Sequence, residues 1–350
     1  MSFWSNQFQG ARWGEANNAL NSEEPITSIK CRKGPAGKVA ITWIQGNDSE
    51  NSLWASTFNG ISWSEATQIS QKGNLIEYEL VTTQSGEFLT VWNDNGQIWM
   101  NTFDGENWGG SVDLDLTLAG YEHLNIEVTS DKKIVLMWSI IKDSKRYLWT
   151  SAYFDGQWDS LKLLAQPEKN IDLIKSAINY NNHLILMWKE NSGESQDIFI
   201  TQFVDNGWEE PMVIHSSTIP IQHENIIFHQ NGKAVLTWIQ SEGDYDYIYS
   251  KNYDGTTWSK DPLLVAQNLE NGSEYKIATD SFSGTHLIWS QTDGSLWMNS
   301  LESSRWNGTI RLNASSPDPV LDYAIGFNRA GKSYIVWSQK SSVWFKPGPN

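Results

Sequence analysis

Apolar residues along this chain gather in short runs that end in tryptophan. Phe88-Leu89-Thr90-Val91-Trp92, Leu184-Ile185-Leu186-Met187-Trp188 and Ala234-Val235-Leu236-Thr237-Trp238 are clear cases. Polar turns bound each run, as expected for a strand buried on both faces. The segment after such a run alternates, as in Ile98 to Phe103, and predicts a half-buried strand. Asp104-Gly105 then predicts a tight hairpin, because glycine tolerates positive φ and Asp-Gly suits turns that match strand twist. Trp108 is expected to open a fourth, outer strand, and Ile76 to Val81 a first one before the run. No long stretch has helical periodicity.

Tryptophan shows that this pattern is a repeat. All 20 Trp fall in three recurring positions. Trp43, Trp92, Trp138, Trp188, Trp238, Trp289 and Trp337 close the apolar runs. Trp13, Trp63, Trp108, Trp158, Trp208, Trp258 and Trp306 end an aromatic-x-Gly-x-x-Trp-like hairpin, whose glycine is lost in the copy before Trp306. Trp4, Trp54, Trp99, Trp149, Trp297 and Trp344 open the third strand, where Phe199 and Tyr249 stand in the remaining two repeats. The first two marks each occur seven times, 45 to 51 residues apart. Four short strands per repeat predict an all-β, seven-bladed β-propeller with four-stranded antiparallel blades. No linker composition interrupts residues 1–350, so a single domain is expected. The chain starts and stops in mid-blade, at Trp4, Phe8, Gly10 and Trp13 and at Lys332 to Trp344. Pairing of these segments would close the ring and remove an open edge.

Phe103-Asp104-Gly105-Glu106-Asn107-Trp108 and Tyr253-Asp254-Gly255-Thr256-Thr257-Trp258 resemble the turn motifs of sialidase-like propellers, although Asp and Gly here are adjacent. The repeat is more loosely similar to seven-bladed propeller lectins that hold sugars between blades. The sialidase resemblance implies three arginines around a carboxylate, but none of the six arginines stands at the start of a first strand. Acids do stand there: Glu77, Glu79, Glu122, Glu224, Glu274 and Asp322. A glycosidase would need two of them facing each other, so a glycoside-active enzyme with an acidic mouth stays an alternative.

The best candidate for binding is itself repeated. Two residues after the run-closing Trp stands Gln45, Asp94, Glu190, Gln240, Gln291 or Gln339, with Ile140 the exception. Side chains two apart share a strand face. Trp43 with Gln45, Trp238 with Gln240, Trp289 with Gln291 and Trp337 with Gln339 are therefore expected to combine a flat ring with an amide, chemistry suited to a sugar. Tyr78, His123, His223, Tyr275 and Tyr323 would share that face. The competing reading is that the rings pack between blades and the amides tie off loops.

Composition narrows the partners. A formal net charge of −16 opposes a phosphate backbone, so nucleic acid is not expected. The partner expected is a neutral glycan, or else a protein surface. One cysteine, Cys31, excludes an intrachain disulfide and is expected to be a buried, inert thiol. Scattered histidines, and the Asp113/Asp115 and Asp244/Asp246 alternations, lack metal-ligand spacing, so no metal or other cofactor is expected. Neither a signal peptide nor a membrane-spanning run is visible. That leaves the cytoplasm, or export without a cleaved signal.

Overall fold

A computed structural model describes residues 2–5, 17–21, 24–34, 37–47, 50–83, 86–117, 120–129, 133–166, 170–179, 181–204, 207–229, 231–270, 272–280, 282–313, 318–327, 333–339 and 342–347. The described elements are all β-strands. They fall into two compact units, residues 1–163 and 164–350.

In the first unit, the sheet of residues 75–117 shows how sequence becomes strand. Its first strand, Leu75–Thr82, pairs with the apolar run Phe88–Asp94, which pairs with Gln97–Phe103, which pairs with Val112–Thr117, all antiparallel. The second strand has neighbours on both edges and is buried from Phe88 to Asn93. The sheets of residues 26–68 and 121–165 follow the same order. In the second unit, so do the sheets of residues 170–217, 221–270 and 275–311. Residues 320–347 give three strands in that order. Ser2–Ser5 pairs with Asn17–Asn21 as a separate hairpin. The N-terminal marks Phe8, Gly10 and Trp13 lie outside the described residues.

The core lies between successive sheets. Ile44, Leu53, Ala55 and Ile69 of one sheet pack against Leu75, Tyr78 and Trp92 of the next. In the second unit, Ile288, Leu296, Met298 and Leu312 pack in the same way against Tyr323, Ile335 and Trp337. The first strands of successive sheets are neighbours within each unit.

Two expectations need correction. Trp108 does not open the outer strand. It closes the hairpin through a single bridge to Phe103, and the outer strand starts afresh at Val112. Gly105, with φ 113°, turns the chain and brings Trp108 back beside its partner, and the chain must then straighten before it can pair again. Cys31 is exposed, because its strand, Ile26–Lys33, is the sheet's edge and has one ladder neighbour.

Candidate functional site

The run-closing indoles are scaffold. Trp43, Trp92, Trp138, Trp188, Trp238, Trp289 and Trp337 are all buried, Trp238 completely at 0% exposure. Each sits directly opposite the third-strand aromatic in register: Trp43 faces Trp54, Trp238 faces Tyr249, Trp289 faces Trp297 and Trp337 faces Trp344. The residue two beyond does share the face, as period two requires. Trp43 Nε1 donates to Gln45 Oε1 at 3.3 Å, Trp188 Nε1 to Glu190 Oε1 at 3.0 Å and Trp238 Nε1 to Gln240 Oε1 at 3.1 Å. For Trp238, Trp289 and Trp337, however, that face is covered by the preceding sheet, and Trp43 is 2% exposed. Trp43, Trp238, Trp289 and Trp337 are therefore not open stacking plates.

Most of the amides are also engaged. Gln240 Nε2 donates to Ser217 Oγ at 2.6 Å, and Gln339 Nε2 to the Asp318 carbonyl at 2.5 Å. Gln45 is half-buried, and its Nε2 reaches Glu24 Oε2 at 3.4 Å. Gln291 differs: its Oε1 accepts from Ser295 Oγ at 3.3 Å, and among the described residues its Nε2 has no recorded protein partner.

The tyrosines join sheets. Tyr78 donates to the Thr42 carbonyl at 2.9 Å, Tyr275 to the His223 carbonyl at 2.7 Å and Tyr323 to the Glu274 carbonyl at 2.8 Å. Burial raises all three phenols, Tyr323 to about 12, so they remain neutral donors. His223 is exposed, on a β-bulge with φ 54°. His123 is half-buried beside a bulge in its own first strand. His123 belongs to the first unit.

Two of the expected residues, Gln291 and Tyr323, line one cleft of about 320 Å³ between the sheets of residues 275–311 and 320–347. It opens where the second strand Thr285–Ser290 ends and the first strand Val320–Phe327 begins. Lys276, Asp322, Glu270, Glu274 and Leu321 are among its other lining residues. Lys276 Nζ lies 2.6 Å from Asp322 Oδ1 and 5.2 Å from the Tyr323 ring centroid. That bond, together with the Tyr323 N–H, holds the Asp322 carboxyl below its usual range. Leu321 is 67% exposed at a bulge that turns residues toward the opening. The cleft thus combines hydrogen-bonding groups of both kinds with an apolar side, a lining suited to a polyhydroxylated ligand.

Lys276 was not anticipated from sequence. It stands opposite Ile288, the residue before the run-closing Trp289. Lys30 and Lys175 hold the same register position, opposite Thr42 and Met187. Each of the three stands 13 residues before its run-closing Trp, so the recurrence is carried by the sequence spacing. Among the first-strand acids, Glu77 is half-buried in the first unit. Burial, reinforced by Glu79, pushes its carboxyl up to about 7 against the opposing pull of Lys30 and the Leu124 N–H.

No family profile and no curated protein matches the chain. Solved structures do share the fold. A lectin from Burkholderia pseudomallei is similar over 92% of this chain and 98% of its own, with a TM-score of 0.59 at 12% identity. A polysaccharide lyase is similar over 96% and 91%, with a TM-score of 0.56 at 10% identity. A prolyl endopeptidase is similar over 93% of this chain but half of its own length, with a TM-score of 0.54 at 9% identity. These likenesses give the fold as a propeller of four-stranded antiparallel sheets. One architecture serving a lectin, a lyase and a peptidase shows why activity must be read from the site.

Proposed function

We propose that the protein is a non-catalytic carbohydrate-binding module that holds neutral glycans in shallow clefts between neighbouring sheets. In this reading residues 1–350 form one seven-bladed ring closed by the terminal segments. The observation that carries it is the Gln291, Lys276–Asp322 and Tyr323 cleft, where hydrogen-bonding side chains line an opening with an exposed Leu321. A sugar hydroxyl both donates and accepts, so it can meet Gln291 Nε2 and Asp322 together. The lectin and lyase of similar fold bind or act on saccharides by their names, which is consistent with such a use. The net charge of −16 disfavours sulfated or uronate ligands and nucleic acid. A single shallow site is weak, and repeated sites on one chain would gain from multivalency.

A glycan array followed by calorimetry tests this. Neutral glycans should bind, and Gln291→Ala should weaken the best hit roughly fivefold, the loss of about one hydrogen bond. Gln240→Ala should leave affinity intact and lower the melting temperature, because that amide is bonded internally. An array without a neutral hit, or a hit indifferent to Gln291→Ala, would leave a protein surface as the better partner.

One observation favours a second reading, an enzyme acting on glycosides. Glu77 titrates near neutrality, and the buried Tyr121 hydroxyl in the neighbouring first strand has no partner among the described residues. Depolymerisation of a polysaccharide that is abolished in Glu77→Gln would establish that alternative.

A further inference from the structure

The repeat breaks at two positions that line one cleft. Six turns between first and second strands are built alike: the N–H of Gly34, Thr83, Thr129, Asn179, His229 or Asp280 donates to the carbonyl four residues on. In four of them the first side chain also caps the turn. Thr83 Oγ1 accepts from the Glu87 N–H at 3.2 Å and Thr129 Oγ1 from the Lys133 N–H at 2.9 Å. Asn179 Oδ1 accepts from the Asn181 N–H at 2.9 Å and Asp280 Oδ1 from the Phe282 N–H at 2.8 Å. An imidazole does not cap this way. His229 instead crosses to the next sheet, where its Nε2 meets Thr285 Oγ1 at 2.9 Å. The middle of these turns is Asn at 181 and 231, but Phe at 282, and that ring is 75% exposed.

His229 and Phe282 line the same cleft, about 230 Å³, between the sheets of residues 221–270 and 275–311. Its other polar groups include Asn252, Lys233, Ser303 and Ser304. This is the end of the sheets where first strands turn into second strands, opposite the Gln291 opening. Two buried polar atoms of its lining have no hydrogen-bond partner among the described residues: His229 Nδ1 and Asn252 Oδ1. Buried polar atoms in native proteins are normally satisfied by protein or ordered water, so a pair of orphans on one cleft marks a place where a hydroxyl can bond. His229 is 4% exposed, and burial pushes its pKa down to about 4, so the imidazole is neutral at physiological pH.

We propose that this cleft is a second saccharide site, in which adjacent hydroxyls of a neutral sugar bond His229 Nδ1 and Asn252 Oδ1 while a C–H face of the sugar lies on Phe282. A hydroxyl serves whichever tautomer the Thr285 contact selects, since it can donate to or accept from Nδ1. An exposed aromatic ring beside such groups gives the apolar face of a sugar its surface. The site stands on its own geometry and does not require the Gln291 cleft to bind.

The test uses the full chain and a panel of neutral methyl glycosides, with saturation-transfer NMR and the imidazole signals of His229 as readouts. At least one glycoside should receive transfer and move the His229 signals. Phe282→Asn and His229→Thr place the residues of sibling turns at these positions, which favours retention of the fold. Phe282→Asn should weaken binding about tenfold. His229→Thr should also weaken it, read by saturation transfer. Asp322→Asn, in the other cleft, should leave the His229 response unchanged. No response of His229 to any glycoside, or a response untouched by Phe282→Asn, would overturn the proposal. Methyl glucuronide is added as an anionic control, and a response to it alone would also overturn the proposal, because Lys233 would then be the driver. A His229 response in a protein that fails the glycan array at the Gln291 cleft would separate the two readings.

Discussion

At the residue scale, covered faces decide the outcome. A strand's period places Trp238 and Gln240 on one side, and the structure confirms that they touch. Period does not say whether another sheet lies on that side. The aromatic repeat was therefore legible while its burial was not, because one indole in every repeat serves packing as well as binding. Gln291 was legible as a polar group at the strand exit. Lys276 was legible in principle, since it stands 13 residues before Trp289 as Lys30 does before Trp43 and Lys175 before Trp188, but the recurrence is confined to three repeats. Glu77 has a measurable consequence here. Burial raises its carboxyl from the ordinary value of 4.5 to about 7, so the folded state holds its proton more tightly than the unfolded state does. The resulting stability is complete below about pH 4.5 and is lost as pH rises through about 7. Glu77→Gln should therefore raise the melting temperature at about pH 8 relative to wild type and flatten its fall between about pH 5 and 8. Thermal melts across that range check it, and parallel curves for the two proteins would refute the assigned burial.

At the scale of the element, the hairpin after the third strand is the most regular part of the repeat. Phe58–Trp63, Phe103–Trp108, Tyr153–Trp158, Phe203–Trp208 and Tyr253–Trp258 all stack their rings tilted, with centroids 5.1 to 5.5 Å apart. In two of the three Asp-Gly copies the aspartate closes the turn. Asp104 Oδ1 accepts the N–H groups of Glu106 and Asn107, each at 2.9 Å, and Asp254 Oδ1 those of Thr256 and Thr257, each at 2.8 Å. Gly105 and Gly255 take φ values of 113° and 107°, which a side chain would resist. The likeness to sialidase-type turns thus has a structural cause that is independent of any activity. Trp108 packs against two clusters that lie between its sheet and the sheet of residues 26–68. Trp108→Ala should cost roughly 3 kcal/mol in denaturant unfolding, as for an emptied aromatic site, and should leave glycan affinity unchanged. Intact stability with lost binding would move the working end of the sheets to these hairpins.

For the whole molecule, the repeat read from tryptophan predicts the strands well. Expected first, second and third strands at 76–81, 87–92 and 98–103 correspond to Leu75–Thr82, Phe88–Asp94 and Gln97–Phe103. Buried runs and turn residues are local signals, and the sequence carries them directly. Closure depends on pairing between distant segments whose own patterns are compatible with several partners. The described residues give an N-terminal hairpin and a three-stranded C-terminal sheet. The clefts likewise arise from two sheets meeting, so no single repeat encodes them. The most direct test of the account is a crystal structure of the protein with its best neutral array glycan. A sugar between the sheets of residues 275–311 and 320–347, with hydroxyls bonded to Gln291 and Asp322, is the result predicted. A saturated complex whose glycan lies elsewhere and leaves that cleft empty would contradict it.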